Sequence, residues 1–173
     1  MTRPKEEVTI DSQAFRNTMG LFATGVTVMA VEVAGEIFGM TANAITSVSL
    51  EPLLVLVCVQ KEAHLMELLR KSEGFSINIL SEEQEDLSSF FANMWRKPEP
   101  PPFAFQPWLG GPRLEGAIGA IACKTTEFVE GGDHWIVLGQ VIDLYRAENP
   151  ANPLLYYRGQ YRRILDERMK DEG

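Results

Sequence analysis

Gly39-Met40-Thr41-Ala42-Asn43-Ala44-Ile45-Thr46-Ser47-Val48-Ser49-Leu50-Glu51-Pro52 sets small and hydroxylated residues where a buried strand ordinarily carries large apolar ones. Two readings are open. In one, the stretch is a polar connection between two strands. In the other, something besides side chains fills the space. Backbone N–H groups laid bare by small residues, with Thr41, Asn43, Ser47 and Ser49 as adjustable donors, suit a flat heteroaromatic ring whose edge carries N and O acceptors.

The sequence on either side reads as strand. Upstream, Val26–Val33, the turn Ala34-Gly35-Glu36 and Ile37–Asn43 form a hairpin with glycine at its tip. Downstream, Leu53–Val59 is apolar without a break, the pattern of a strand buried on both faces. Before the hairpin, Asp11 is a good N-cap for a helix that presents Phe15, Met19 and Phe22 on one core face before Gly25 ends it. Farther on, His64–Lys71 has helical leucine spacing and Phe75–Leu80 alternates as a strand. Ser81 and Gln84 have capping-box spacing for a helix running to about Ala92.

Lys97–Pro107 holds five of the ten prolines and reads as an extended surface loop. Two long strands follow, about Ala117–Val129 and His134–Tyr145, joined through Glu130-Gly131-Gly132-Asp133. Six or seven strands with helices between them, and no regular βαβ alternation, point to a mainly β fold: a closed antiparallel β-barrel with inserted helices.

Composition narrows the chemistry. A 173-residue chain that is 45% hydrophobic and 23% charged fits one globular domain. The first residues lack the apolar run of a signal peptide, and no segment approaches a membrane span, so a cytoplasmic protein with no membrane partner is expected. The formal charge of -8, without a basic run, argues against nucleic acid. Cys58 and Cys123 lie in apolar stretches as core thiols, and His64 and His134 have no companions at metal-ligand spacing, so no metal site is expected. Gly20–Gly25 has the glycine spacing of a P-loop but continues as Val26-Thr27, without Lys and Ser/Thr. With neither a nucleophile set nor a metal, an organic cofactor would carry any chemistry.

The 39–52 stretch resembles the flavin-binding signature of the flavin reductase-like family, the small reductase components of two-component monooxygenases. Ala23–Val28, Pro52–Val59, Phe75–Ser81, Phe90-Phe91-Ala92, Gly132-Asp133-His134 and Leu155–Tyr161 match in the same order. The resemblance spans residues 12–162, leaving an N-terminal extension (1–11) and an acidic C-terminal tail (163–173). It implies a split β-barrel of the FMN-binding type, normally a homodimer, with FMN or FAD in a groove near the subunit interface. By position, Thr41, Ala42 and Asn43 would line the isoalloxazine, and Ser47, Val48 and Ser49 would contact its polar edge. Cys58, Val59, Gln60 and Lys61 would lead toward the ribityl and phosphate, with Phe91 and Ala92 closing the other side.

Where relatives commonly place Ser/Thr to hold the flavin phosphate, this chain has Lys61-Glu62-Ala63-His64, so Lys61, His64 and the start of the following helix would supply donors instead. The resemblance also implies that His134, beside Asp133, touches the nicotinamide of NADH or NADPH, and that Tyr157, Gly159 and Tyr161 belong to the coenzyme pocket. Read alone, His134 is a capped turn histidine and the tyrosines a packed terminal strand. Trp95 and Trp135 read as packing residues. The implied activity is NAD(P)H:flavin oxidoreduction, with reduced flavin passed to a flavin-dependent monooxygenase. Two alternatives stand beside it: a tightly flavin-bound reductase of another acceptor such as a ferric complex, and a non-catalytic flavin carrier.

Overall fold

The computed structural model describes residues 10–165; the stretches 1–9 and 166–173, with most of the expected extension and tail, lie outside the described residues. The chain runs α1 (Ser12–Met19), β1 (Thr24–Gly25), β2 (Thr27–Val33), β3 (Glu36–Ala42), β4 (Ile45–Leu50), β5 (Leu53–Gln60), α2 (His64–Leu69) and β6 (Gly74–Ile79). It continues α3 (Glu85–Phe91), β7 (Phe105–Gln106), β8 (Arg113–Leu114), β9 (Gly119–Gly131), β10 (His134–Arg146), β11 (Leu155–Tyr157) and β12 (Gln160–Arg162).

Seven strands pair antiparallel in the order β3-β2-β6-β9-β10-β5-β4. β3 and β4 end this ladder without pairing with each other, so the barrel is split and not closed by hydrogen bonds as the strand count suggests. The 42–45 link crosses that split. β1, β11 and β12 form a separate three-stranded sheet.

Turn chemistry sets the register. Ala34 and Gly35 have φ of 55° and 81°, the left-handed pair of a tight hairpin turn, and Thr27 lies opposite Ala42. Gly132, with φ of 69°, turns β9 into β10. β2 is buried along Thr27–Val31 because both of its faces are covered. Met29 and Val31 join the main core with Val55, Val57, Phe75 and Val137, while Val28 joins a second core with Leu80, Leu87, Leu114 and Leu154.

Several expectations are corrected. The first helix stops at Met19, and Phe15, Met19 and Phe22 are 62%, 52% and 71% exposed, so their face is not core. Apolar spacing marks a face but does not say what covers it. β5 buries Val55, Val57 and Val59 and leaves Leu54, Leu56 and Cys58 half-buried, because no layer of the described residues fully covers its second face. The capping contact at Ser81 does form, with the Gln84 side chain accepting from Ser81 N at 3.0 Å. A turn closed by Gln84 N and Ser81 O nevertheless intervenes, and the helix starts at Glu85. The proline-rich loop contains β7, and the terminal strand is a hairpin.

At α1, Asp11 Oδ1 accepts from Ala14 N at 2.7 Å. Asp11→Ala is expected to cost α1 about 1 kcal/mol. Because α1 buries no residue, the loss should appear as faster amide exchange over 12–19 with the global Tm nearly unchanged.

Candidate active site

The chain change from β3 to β4 places its small residues on the wall of a cleft of about 1050 Å³. Asn43, Ala44, Ile45 and Thr46 form this wall, and Leu56 and Cys58 extend it along the half-buried face of β5. Phe15, Arg16 and Met19 of α1 and Tyr156, Arg158 and Gly159 of the C-terminal hairpin also line it. Cys58 N donates to Ala44 O at 3.0 Å, which pins the wall to β5. Although the chain carries a formal charge of -8, the described side chains lining this cleft include two arginines and no carboxylate.

A smaller pocket of about 180 Å³ adjoins it through Asn43 and Tyr156, which line both. Its polar seat is hydroxylic. Thr41 Oγ1 donates to Ser88 O at 2.7 Å, and Ser88 Oγ and Tyr161 OH share a hydrogen bond of 2.8 Å. Ser88 is fully buried, so this bond from α3 fixes the tyrosine ring that Tyr156 meets edge-on at 5.5 Å. Ala92 and Met94 complete the wall.

Outside both linings, the β10–β5 register sets His134 opposite Gln60, and Lys61 N donates to Asp133 O at 3.0 Å. His134 Nδ1 lies 2.7 Å from Asp133 Oδ1. That hydrogen bond, then the charge of His134, hold the Asp133 carboxyl below its usual range, with the smallest pull from Arg16. Lys61 pairs with Glu130, and this contact lowers the Glu130 carboxyl. The Lys61 ammonium also lies 5.4 Å from the Trp135 ring centre.

The structure thus brings Thr41, Asn43, Cys58, Ala92, Gly159 and Tyr161 to two connected cavities. Other predicted residues stand elsewhere. Ala42 is buried, its carbonyl accepting from Thr27 Oγ1 at 2.6 Å. Ser47, Val48 and Ser49 line neither cavity; a register shift between Ser47 and Ser49 disrupts the alternation of β4 there. The Val59 side chain is in the core, leaving only its backbone available to a ligand. Phe91 packs among Phe90, Phe103 and Phe105 and against Gly39, where an added Cβ would meet its ring at 2.7 Å. His64 meets Phe38 edge-on at 5.8 Å, and Tyr157 is half-buried outside both linings.

Arg16, Ala44, Tyr156, Arg158 and Ser88 were not singled out from sequence. Arg158 and Gly159 have φ of 52° and 75°, and the Arg-Gly pair between tyrosines is the local signal for that tight tip. Cys123 is core, its thiol pushed up to about 12 by burial, whereas Cys58 is not fully buried and faces the cleft. Among the described residues no group of three His, Cys, Asp or Glu is placed to hold a metal, and no helix is long and apolar enough to cross a membrane.

Chemically, the paired cavities offer amide and hydroxyl groups for a flat polar-edged ring, apolar side chains to cover it and cations for an anionic tail. The donor set fits a flavin nucleotide.

Comparison with known proteins agrees with this chemistry. Residues 19–165 match the flavin reductase like domain. The reductase subunit HsaB of a flavin-dependent monooxygenase from Mycobacterium tuberculosis is 37% identical over 166 residues, covering 92% of this chain and 86% of that protein. The flavin reductase PheA2 superposes with a TM-score of 0.85 at 40% identity, covering 91% of this chain and all (100%) of that one. The NADH:FAD oxidoreductase SgcE6 of Streptomyces globisporus C-1027, solved with NAD and FAD fragments, gives a TM-score of 0.81 at 35% identity, covering 91% and 94%.

Proposed function

The chain belongs to the flavin reductase-like family, and from that premise we infer that it is an NAD(P)H:flavin oxidoreductase that reduces FMN or FAD and supplies a partner monooxygenase. The observation that carries this reading is the cleft itself, which among the described residues joins a wall of small residues, a hydroxyl-lined pocket and two cations without carboxylates. NADH is the coenzyme suggested by the similarity to SgcE6.

When bound, the nicotinamide supplies the hydride and the flavin accepts it, so no side-chain acid or base is required. The chain's task is to hold and orient. Asn43 serves both cavities, and its side chain is steadied by Nδ2 donating to Thr24 Oγ1 at 3.2 Å. Thr41 and Tyr161 are fixed through Ser88, and the apolar residues of α1 keep water from the wall they face. Asp133 orients His134, and the imidazole steers the nicotinamide.

Residues 12–162 form the working unit. It acts in the cytoplasm as a homodimer, a reading supported by the large exposed side chains of Phe15, Leu21, Phe22, Leu50 and Leu53. Because none of the buried core residues lines the cleft, flavin exchanges without opening the barrel. That favours flavin as a substrate over a permanently held group.

Anaerobic mixing of the protein with NADH and FMN should bleach the visible absorbance of the oxidised ring; bound flavin that stays oxidised would leave only a carrier. His134→Ala is expected to slow NADH-driven reduction about tenfold with flavin affinity unchanged. Unchanged turnover would remove His134 from coenzyme positioning.

A further inference from the structure

The two cations of the cleft are arginines. Arg16 and Arg158 come from opposite ends of the chain and both line it, and among the described residues neither has an ion-pair partner. Their backbones are locked together through one residue. Gly20 N donates to Arg16 O at 2.8 Å, and Arg158 N donates to Gly20 O at 2.8 Å. Arg158 is held at the hairpin tip with φ of 52°.

We propose that Arg16 and Arg158 together seat the phosphate or diphosphate of the nucleotide bound in the cleft. This rests on the flavin reductase reading and names the anion site within it. A chain of formal charge -8 repels an anionic ligand at long range, so local cations must offset that field. Guanidinium forks match phosphate oxygens in pairs, and among the described residues no carboxylate shares the cleft lining with them. The cations expected from sequence are engaged elsewhere: Lys61 pairs with Glu130, and His64 packs on Phe38.

The test compares ligands with and without phosphate. Arg16→Gln combined with Arg158→Asn suits the purpose, since both positions are exposed and Asn tolerates the left-handed backbone. Wild-type protein should bind FMN more tightly than riboflavin, and in the double variant that preference should fall about tenfold or more, with riboflavin affinity changed less than about twofold. A preserved FMN preference with an equal loss of NADH affinity relative to dihydronicotinamide riboside would assign the arginines to the coenzyme's diphosphate, and also supports the proposal. Both preferences surviving in a variant that still reduces flavin would overturn the phosphate seat and leave the reductase reading intact. Wild-type protein that binds neither flavin nor NADH would overturn both.

Discussion

Ala44→Trp should lower flavin affinity by about 100-fold, or ~3 kcal/mol. Ala44 is exposed on the cleft wall facing α1, and its carbonyl is held by Cys58 N, so that wall cannot simply retreat. An indole here fills the space that the run of small residues leaves open. No core contact is removed, because Ala44 belongs to neither buried cluster. The Tm should therefore stay within about 2 °C while an FMN fluorescence titration loses its saturation. Wild-type affinity in this variant would show that the flavin lies elsewhere.

Gly74→Ala is expected to cost about 3 kcal/mol or more and to lower the Tm by about 10 °C. A Cβ at Gly74 would fall 2.1 Å from Cys123 O and 2.8 Å from Gly110 O, and both obstacles are backbone. β6 is bonded to β9 here, with Gly74 opposite Lys124, so relief requires separating the strands that frame the core. Gly25→Ala is the contrasting case: its Cβ meets nothing within 4 Å, and the Tm should barely move. Equal Tm values for the two variants would contradict the packing described for β6 and β9.

Much of the frame was legible because its signals are local. The Ala34-Gly35 hairpin, the unbroken Leu53–Val59 strand and the Gly132 turn each follow from a few adjacent residues. The site was legible where small residues gather, at Thr41 and Asn43. What escaped depends on distant partners. The helical spacing of Phe15 and Met19 could not reveal that α1 borders a cleft instead of a core. Ile45 and Thr46 of β4 reach the cleft, but the register shift between Ser47 and Ser49 interrupts the alternation beyond them. Lys61 looked available for phosphate until folding brought Glu130 to it, and Arg16 and Arg158 meet only through Gly20.

Flavin-dependent oxidation of NADH tests the central claim most directly. Purified protein in air, given NADH with and without added FMN or FAD, should consume NADH at a rate that rises from near zero and saturates with flavin. NADH that stays unoxidised at every flavin concentration, with flavin shown to be bound, would contradict the assignment as a reductase.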